Sequence, residues 1–118
     1  MEPNKKSYYC HFELTLDIIG GKWKPLILYF IGMNKVLRYR ELRRKIPNIS
    51  ERMLTRQLRD LEKNKLVNRE IYREVPPKVE YSLTTTGESL MPILKELQVW
   101  GMAYNNEMEI ANFIIKKD

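Results

Sequence analysis

The chain has one cysteine and one histidine in 118 residues. A single thiol excludes an intramolecular disulfide and suits a reducing cytoplasm. A closed zinc site built on Cys10 and His11 would need a second chain or carboxylates, so no metal or other cofactor is expected. There is no phosphate-cradling glycine loop, no second histidine and no nucleophile–base motif, which argues against an enzyme. No apolar run approaches the roughly 18 residues of a membrane span, and no signal peptide opens the chain. No linker or internal repeat divides it. One domain is expected, with no membrane partner.

What is present is basic charge, unevenly placed. The net charge is +6. Residues 38–78 hold 13 basic and 6 acidic side chains, a net of +7, while the rest of the chain holds 8 and 9. A merely basic protein would spread the excess. Localised charge is the electrostatic footprint of a nucleic-acid partner.

Ser50 to Lys63 is the centre of that segment. At about 100° per residue, Leu54, Leu58 and Leu61 share one arc of a helix, and Arg52, Thr55, Arg56, Arg59 and Lys63 lie opposite, with Glu51, Asp60 and Glu62 on the flanks. Ser50 suits the N-cap, although Met53 three residues on denies it a capping box. Alone, the pattern equally fits an ordinary amphipathic helix with a solvated basic face. The next stretch favours the sharper reading. After Leu66 the period becomes two. Val67, Arg69 and Ile71 alternate with polar residues, as do Val79, Tyr81 and Leu83, which predicts a hairpin with one buried face. Pro76 and Pro77 stiffen its tip, with Arg73 and Lys78 at the base. A reading helix followed directly by a basic hairpin is a winged helix.

The remaining elements fit around this pair. Residues 1–9 read as a flexible tail and 10–118 as the winged-helix domain. Phe12 to Ile19 predicts a short helix apolar around much of its circumference, which needs burial on more than one side. Gly20-Gly21 breaks it. Leu26, Ile27, Phe30 and Ile31 are expected to form the buried face of the next helix, with Pro25 in its first turn and Gly32 at its end. Lys22 and Lys24, at that N-terminus, are phosphate contacts or solvated lysines. Val36-Leu37 predicts a short third strand. Tyr39 to Ile46, with Leu42 and Ile46 on one side, predicts the first helix of a helix-turn-helix, and Pro47-Asn48-Ile49 its turn. Thr85 and Glu88 have capping-box spacing. A stripe from Leu90 through Leu97, Trp100, Tyr104 and Met108 to Ile115 predicts a long C-terminal helix. If continuous it would span about 45 Å at ~1.5 Å per residue. It must therefore break near Asn105-Asn106 or pack its far half on a partner, and dimerisation accounts better for the apolar Phe113-Ile114-Ile115.

With these segments assembled, the chain resembles the HxlR-type bacterial winged-helix transcription regulators, relatives of the MarR group. The likeness runs through Cys10, Thr15 to Lys24 with its Gly20-Gly21-Lys22-Trp23, Tyr39 to Arg44, Ile49-Ser50, Met53 to Thr55, Leu58 to Glu62, Val75 to Thr84 and Gly87. It covers roughly residues 10–101. It implies a mainly α fold with a small β-hairpin wing, dimeric through N- and C-terminal helices, and binding of a near-palindromic double-stranded operator in the cytoplasm. It also implies sensing, because a cysteine at the position of Cys10 reacts with oxidants or electrophiles in several members. His11 stands where the family commonly has proline, a departure local to the thiol.

Residue by residue, Arg52 and Arg56 are the candidates for base-edge contacts, since an arginine fork grips guanine O6 and N7 together. Thr55 reaches a thymine methyl or a phosphate. Arg40, Arg43, Arg59 and Lys63 suit phosphates, and Arg73 and Lys78 would set the wing against the backbone or minor groove. Each is otherwise a solvated charge. Cys10 is either a small buried hydrophobe or a partly exposed sensor. Two other functions stay open: a winged helix used for protein interaction or RNA binding, and a repressor taking a small molecule among Trp23, Tyr29, Trp100 and Tyr104.

Overall fold

Local chemistry sets most element boundaries in the computed structural model, which describes residues 3–113. Helix α1 (His11–Ile19) begins at Cys10, whose backbone is extended and whose side chain caps nothing. Glu13 instead reaches back to the incoming chain, accepting the Tyr9 N–H at 2.8 Å. Gly20 ends the helix, because a Cβ there would lie 2.0 Å from the Leu16 carbonyl oxygen. Gly21 then takes φ +88°, open to glycine without steric cost.

Helix α2 (Trp23–Asn34) buries Ile27, Leu28 and Ile31 completely. The sequence predicts Ile27 and Ile31, but Leu28 holds the third place while Leu26 and Phe30 pack, half-buried, at its margin. Gly32 does not end the helix. It lies where a Cβ would meet the Met91 sulfur at 2.2 Å, so its value is room for a crossing side chain. The helix runs two residues further, to Asn34, and closes at Lys35 with φ 69°.

Strand β1 (Val36–Arg38) leads into α3 (Tyr39–Lys45), and α4 (Glu51–Lys63) follows the turn. Ile49 returns to the core as expected. Strands β2 (Val67–Tyr72) and β3 (Lys78–Leu83) form the hairpin, its Val75–Pro76 peptide cis. The expected third strand pairs on the far side of β3, giving an antiparallel sheet of order β1-β3-β2. Leu37 and Arg69 both lie opposite Tyr81.

The core lies under the helices: Ile27, Leu28, Ile31, Leu42, Ile49, Leu54, Leu58 and Leu61 are all but inaccessible. Each such side chain contributes about 1.5–3 kcal/mol over an exposed one. Hairpin alternation holds only near this core. Val67, Tyr81 and Leu83 are buried, whereas Arg69 and Ile71 are exposed. Among the described residues, no element covers this part of the wing, where Ile71 is 56% exposed.

The cap after β3 is Thr84, not Thr85. Its hydroxyl accepts the Gly87 N–H at 2.9 Å and donates to the Lys65 carbonyl at 2.6 Å, starting the short α5 (Thr85–Glu88). Gly87 lies so close to the Leu66 carbonyl that a Cβ would approach it to 2.1 Å. Helix α6 (Met91–Met108) has its proline in the first turn. It ends at Met108, where Glu109 turns left-handed and the Asn105 side chain accepts the Ile110 and Ala111 N–H groups. The helix thus ends close to the break expected near Asn105-Asn106. The 18-residue helix is about 27 Å long at ~1.5 Å per residue. Ala111 of the expected stripe lies beyond it, and Ile114 and Ile115 fall outside the described residues. No helix among the described residues is long and apolar enough to cross a membrane.

Candidate nucleic-acid interface

Helix α4 is fixed at its start by Ser50, whose Oγ accepts the Met53 N–H at 3.1 Å. Leu54, Leu58 and Leu61 anchor one side in the core, and Arg52, Arg56, Arg59 and Lys63 are exposed on the other, as the periodicity predicts. The acidic residues of the helix decide what that exposed side is. Glu51 pairs with Arg43 at 2.8 Å, Asp60 with Lys24 at 3.6 Å, and Glu62 with Arg69 at 3.3 Å. All three carboxylates are engaged by bases from α3, α2 and β2. The α4 bases are thereby left to face outward together, around a depression of about 730 Å³ that Tyr39, Arg52, Thr55, Arg56 and Arg59 help to line.

Several basic side chains have partners within the chain. Arg43 is half-buried, donates to the Ile49 carbonyl as well as pairing with Glu51, and so braces the turn of the helix-turn-helix. Lys24, its side chain only 16% exposed, ties α2 to α4. Lys22 lies over the Trp23 ring at 4.7 Å, and Trp23 packs against the core. On the wing, Lys78 sits over the Tyr72 ring at 4.3 Å and 3.9 Å from Glu80, while Arg73 is exposed. Tyr72 is held above the ordinary phenol range, first by its hydrogen bond to Glu80. Arg40 is exposed on α3.

Tyr39, at the start of α3, carries a contact that the helical period does not show. Its ring packs against the core, but its hydroxyl contacts the Glu51 carbonyl and Thr55. A tyrosine at an apolar position is itself the missed signal, since a half-buried phenol requires a polar partner.

Cys10 is exposed on this chain and is not packed in its core. The tail before it is tied down by Asp17, which accepts a hydrogen bond from the Tyr8 hydroxyl and pairs with Lys6 at 3.3 Å. Those contacts, Tyr8 first, hold the Asp17 carboxyl below the usual aspartate range. The four aromatic rings are divided. Trp23 and Tyr29 pack against the core, whereas Trp100 stacks on Tyr104, centroids 5.0 Å apart, along an exposed part of α6. Among the described residues no three His, Cys, Asp or Glu side chains group to hold a metal.

A family model described as HxlR-like helix-turn-helix matches residues 18–109. The chain belongs to the HxlR-like family. The uncharacterised HTH-type transcriptional regulator YkvN of Bacillus subtilis (strain 168) is 56% identical over 106 residues, covering 90% of this chain and 88% of the relative. Among solved structures, the redox regulator HypR in its reduced form superposes with a TM-score of 0.79 at 46% identity, over 86% of this chain and 100% of that one. The reduced transcriptional regulator YodB of B. subtilis gives 0.68 at 34% identity, over 80% and 91%. This HxlR-type chain is accordingly a transcriptional regulator with a winged helix-turn-helix fold.

Proposed function

We propose that this HxlR-type regulator binds a near-palindromic duplex operator as a cytoplasmic homodimer, and that oxidants or electrophiles at Cys10 control the binding. The observation that carries the reading is the sorting of charge on α4. Its carboxylates are paired to other elements, and its arginines face outward around a depression. Arg52 and Arg56 read base edges, with Thr55 between them. Arg40, Arg59 and Lys63 meet phosphates, Ser50 holds the helix start, and Arg73 carries the wing contact. Arg43 and Lys78 contribute through the geometry they hold.

A second copy of the chain completes the molecule. Phe12 and Leu16 on α1 and Ile93, Leu97, Trp100 and Met108 on α6 are exposed. Apolar surface of that extent on a small domain marks an interaction face. A two-fold dimer would present two reading helices to half-sites about 10–10.5 base pairs apart, or a multiple of that. Footprinting and titration across salt test this. A symmetric footprint and a steep fall of affinity with salt are expected. Equal affinity for every duplex, or preference for single strands, would favour the protein- or RNA-binding alternative.

For Cys10 the supporting observations are its exposure and the structural likeness to a redox regulator. Two protomers' thiols would give up two electrons and two protons to an oxidant such as diamide and form an intermolecular S–S bond. Diamide is expected to change DNA affinity of the wild type and to leave Cys10→Ser unaffected. An identical response in both proteins would remove the thiol from the mechanism.

A further inference from the structure

The Tyr39 hydroxyl sits between the two helices of the helix-turn-helix. Its Oη lies 3.0 Å from the Glu51 carbonyl oxygen and 3.1 Å from Thr55 Oγ1. A carbonyl has no proton to give, so Tyr39 donates its only hydroxyl proton to Glu51. Thr55 is then the donor in the second bond. Its proton points back into the protein, and Oγ1 has only lone pairs left for anything entering the depression beside Arg52 and Arg56. Arginine forks bring donors and no acceptor. Glu51 and Asp60 also line the depression, but their carboxylates are held by Arg43 and Lys24, so Thr55 is the hydroxyl acceptor left between Arg52 and Arg56 along the helix.

We propose that Tyr39 is a positioning residue that commits Thr55 to accepting, so that the operator carries an amine-bearing base, adenine or cytosine, opposite Thr55. Their exocyclic amines are the major-groove donors, whereas guanine N7 and O6 and thymine O4 would set acceptor against acceptor. The inference deepens the operator reading above and rests on it. Without the phenol oxygen, the Thr55 hydroxyl is free to turn and to give its proton to the bases it now refuses.

The test is selection from a randomised duplex library with wild type, Y39F, T55V and T55S, followed by titration of each protein on the wild-type site, its single-base variants and unrelated duplex. Wild type is expected to enrich a site with an adenine or cytosine at one position per half-site. T55V should flatten preference at that position and T55S keep it. Y39F, which keeps the ring, should flatten the same position by roughly tenfold in discrimination, with other positions and binding to unrelated duplex unchanged. Combining Y39F with T55V should add nothing further. Retention of wild-type preference by Y39F overturns the inference alone, as does a uniform loss on all duplexes, which marks Tyr39 as merely stabilising. If Y39F does not fold, T55S and T55V decide: equal preference in both overturns it. A wild type that enriches no site sinks the operator reading and this inference together.

Discussion

Replacing Leu97 by glutamate is expected to yield a folded monomer with at least ~100-fold weaker binding to a two-half-site duplex and unchanged binding to a single half-site. Leu97 is 58% exposed, at the middle of a stripe with Ile93, Trp100 and Tyr104 on the part of α6 that leaves the body. Leu94 is buried in the chain's own core and Leu97 lies outside it, so the substitution removes little intrachain packing. In a dimer the new carboxylate would be desolvated against apolar side chains, a cost that an unpaired charge does not recover. Linking two reading heads multiplies affinity by making the second contact intramolecular, and that gain is what disappears. Light scattering gives the mass and thermal melting the fold. A dimeric L97E protein would move the stripe out of the interface.

Arg56→Ala carries the second large effect. Loss of one bidentate base contact corresponds to about 1–3 kcal/mol of discrimination, roughly 5- to 150-fold on the operator. Binding to unrelated duplex should change little, because non-specific affinity comes from phosphates. Exposure of Arg56 among paired carboxylates leaves its guanidinium available, so its removal costs no ion pair within the fold. Salt titration separates the alternatives. A base contact leaves the salt slope nearly intact, whereas a phosphate contact would lower its magnitude by about 0.9. Equal loss on both duplexes would place Arg56 among the phosphate ligands.

The contrast between α4 and the side chains around it shows where reading by period succeeds. Leucines at 54, 58 and 61 and arginines at 52, 56 and 59 fall on opposite faces because helical geometry alone places them. The same rule misplaced Arg69 and Ile71: alternation gives two faces to a strand, but only a covering element makes one of them a core. Gly32 and Gly87 stand out in the sequence, but the packing role of each does not, for a related reason. Each matters through a neighbour, Met91 in one case and the Leu66 carbonyl in the other, that is distant in sequence. The end of α6 is an intermediate case, since Asn105 was a candidate break and its side chain does close the helix.

From residue order alone came the charge-rich segment, the reading helix, the wing, the third strand and the family, all properties of short windows with a fixed period or a distinctive motif. Only the folded chain decided which bases are spent on carboxylates, so that Arg43, Lys24 and Arg69 brace the body while Arg52 and Arg56 stay open, and only it brought the Tyr39 hydroxyl within hydrogen-bond distance of Thr55. The reason is range. Helical and strand periodicity act over a few residues, whereas an ion pair or a hydrogen bond between elements depends on where the whole backbone brings two groups within about 3–4 Å.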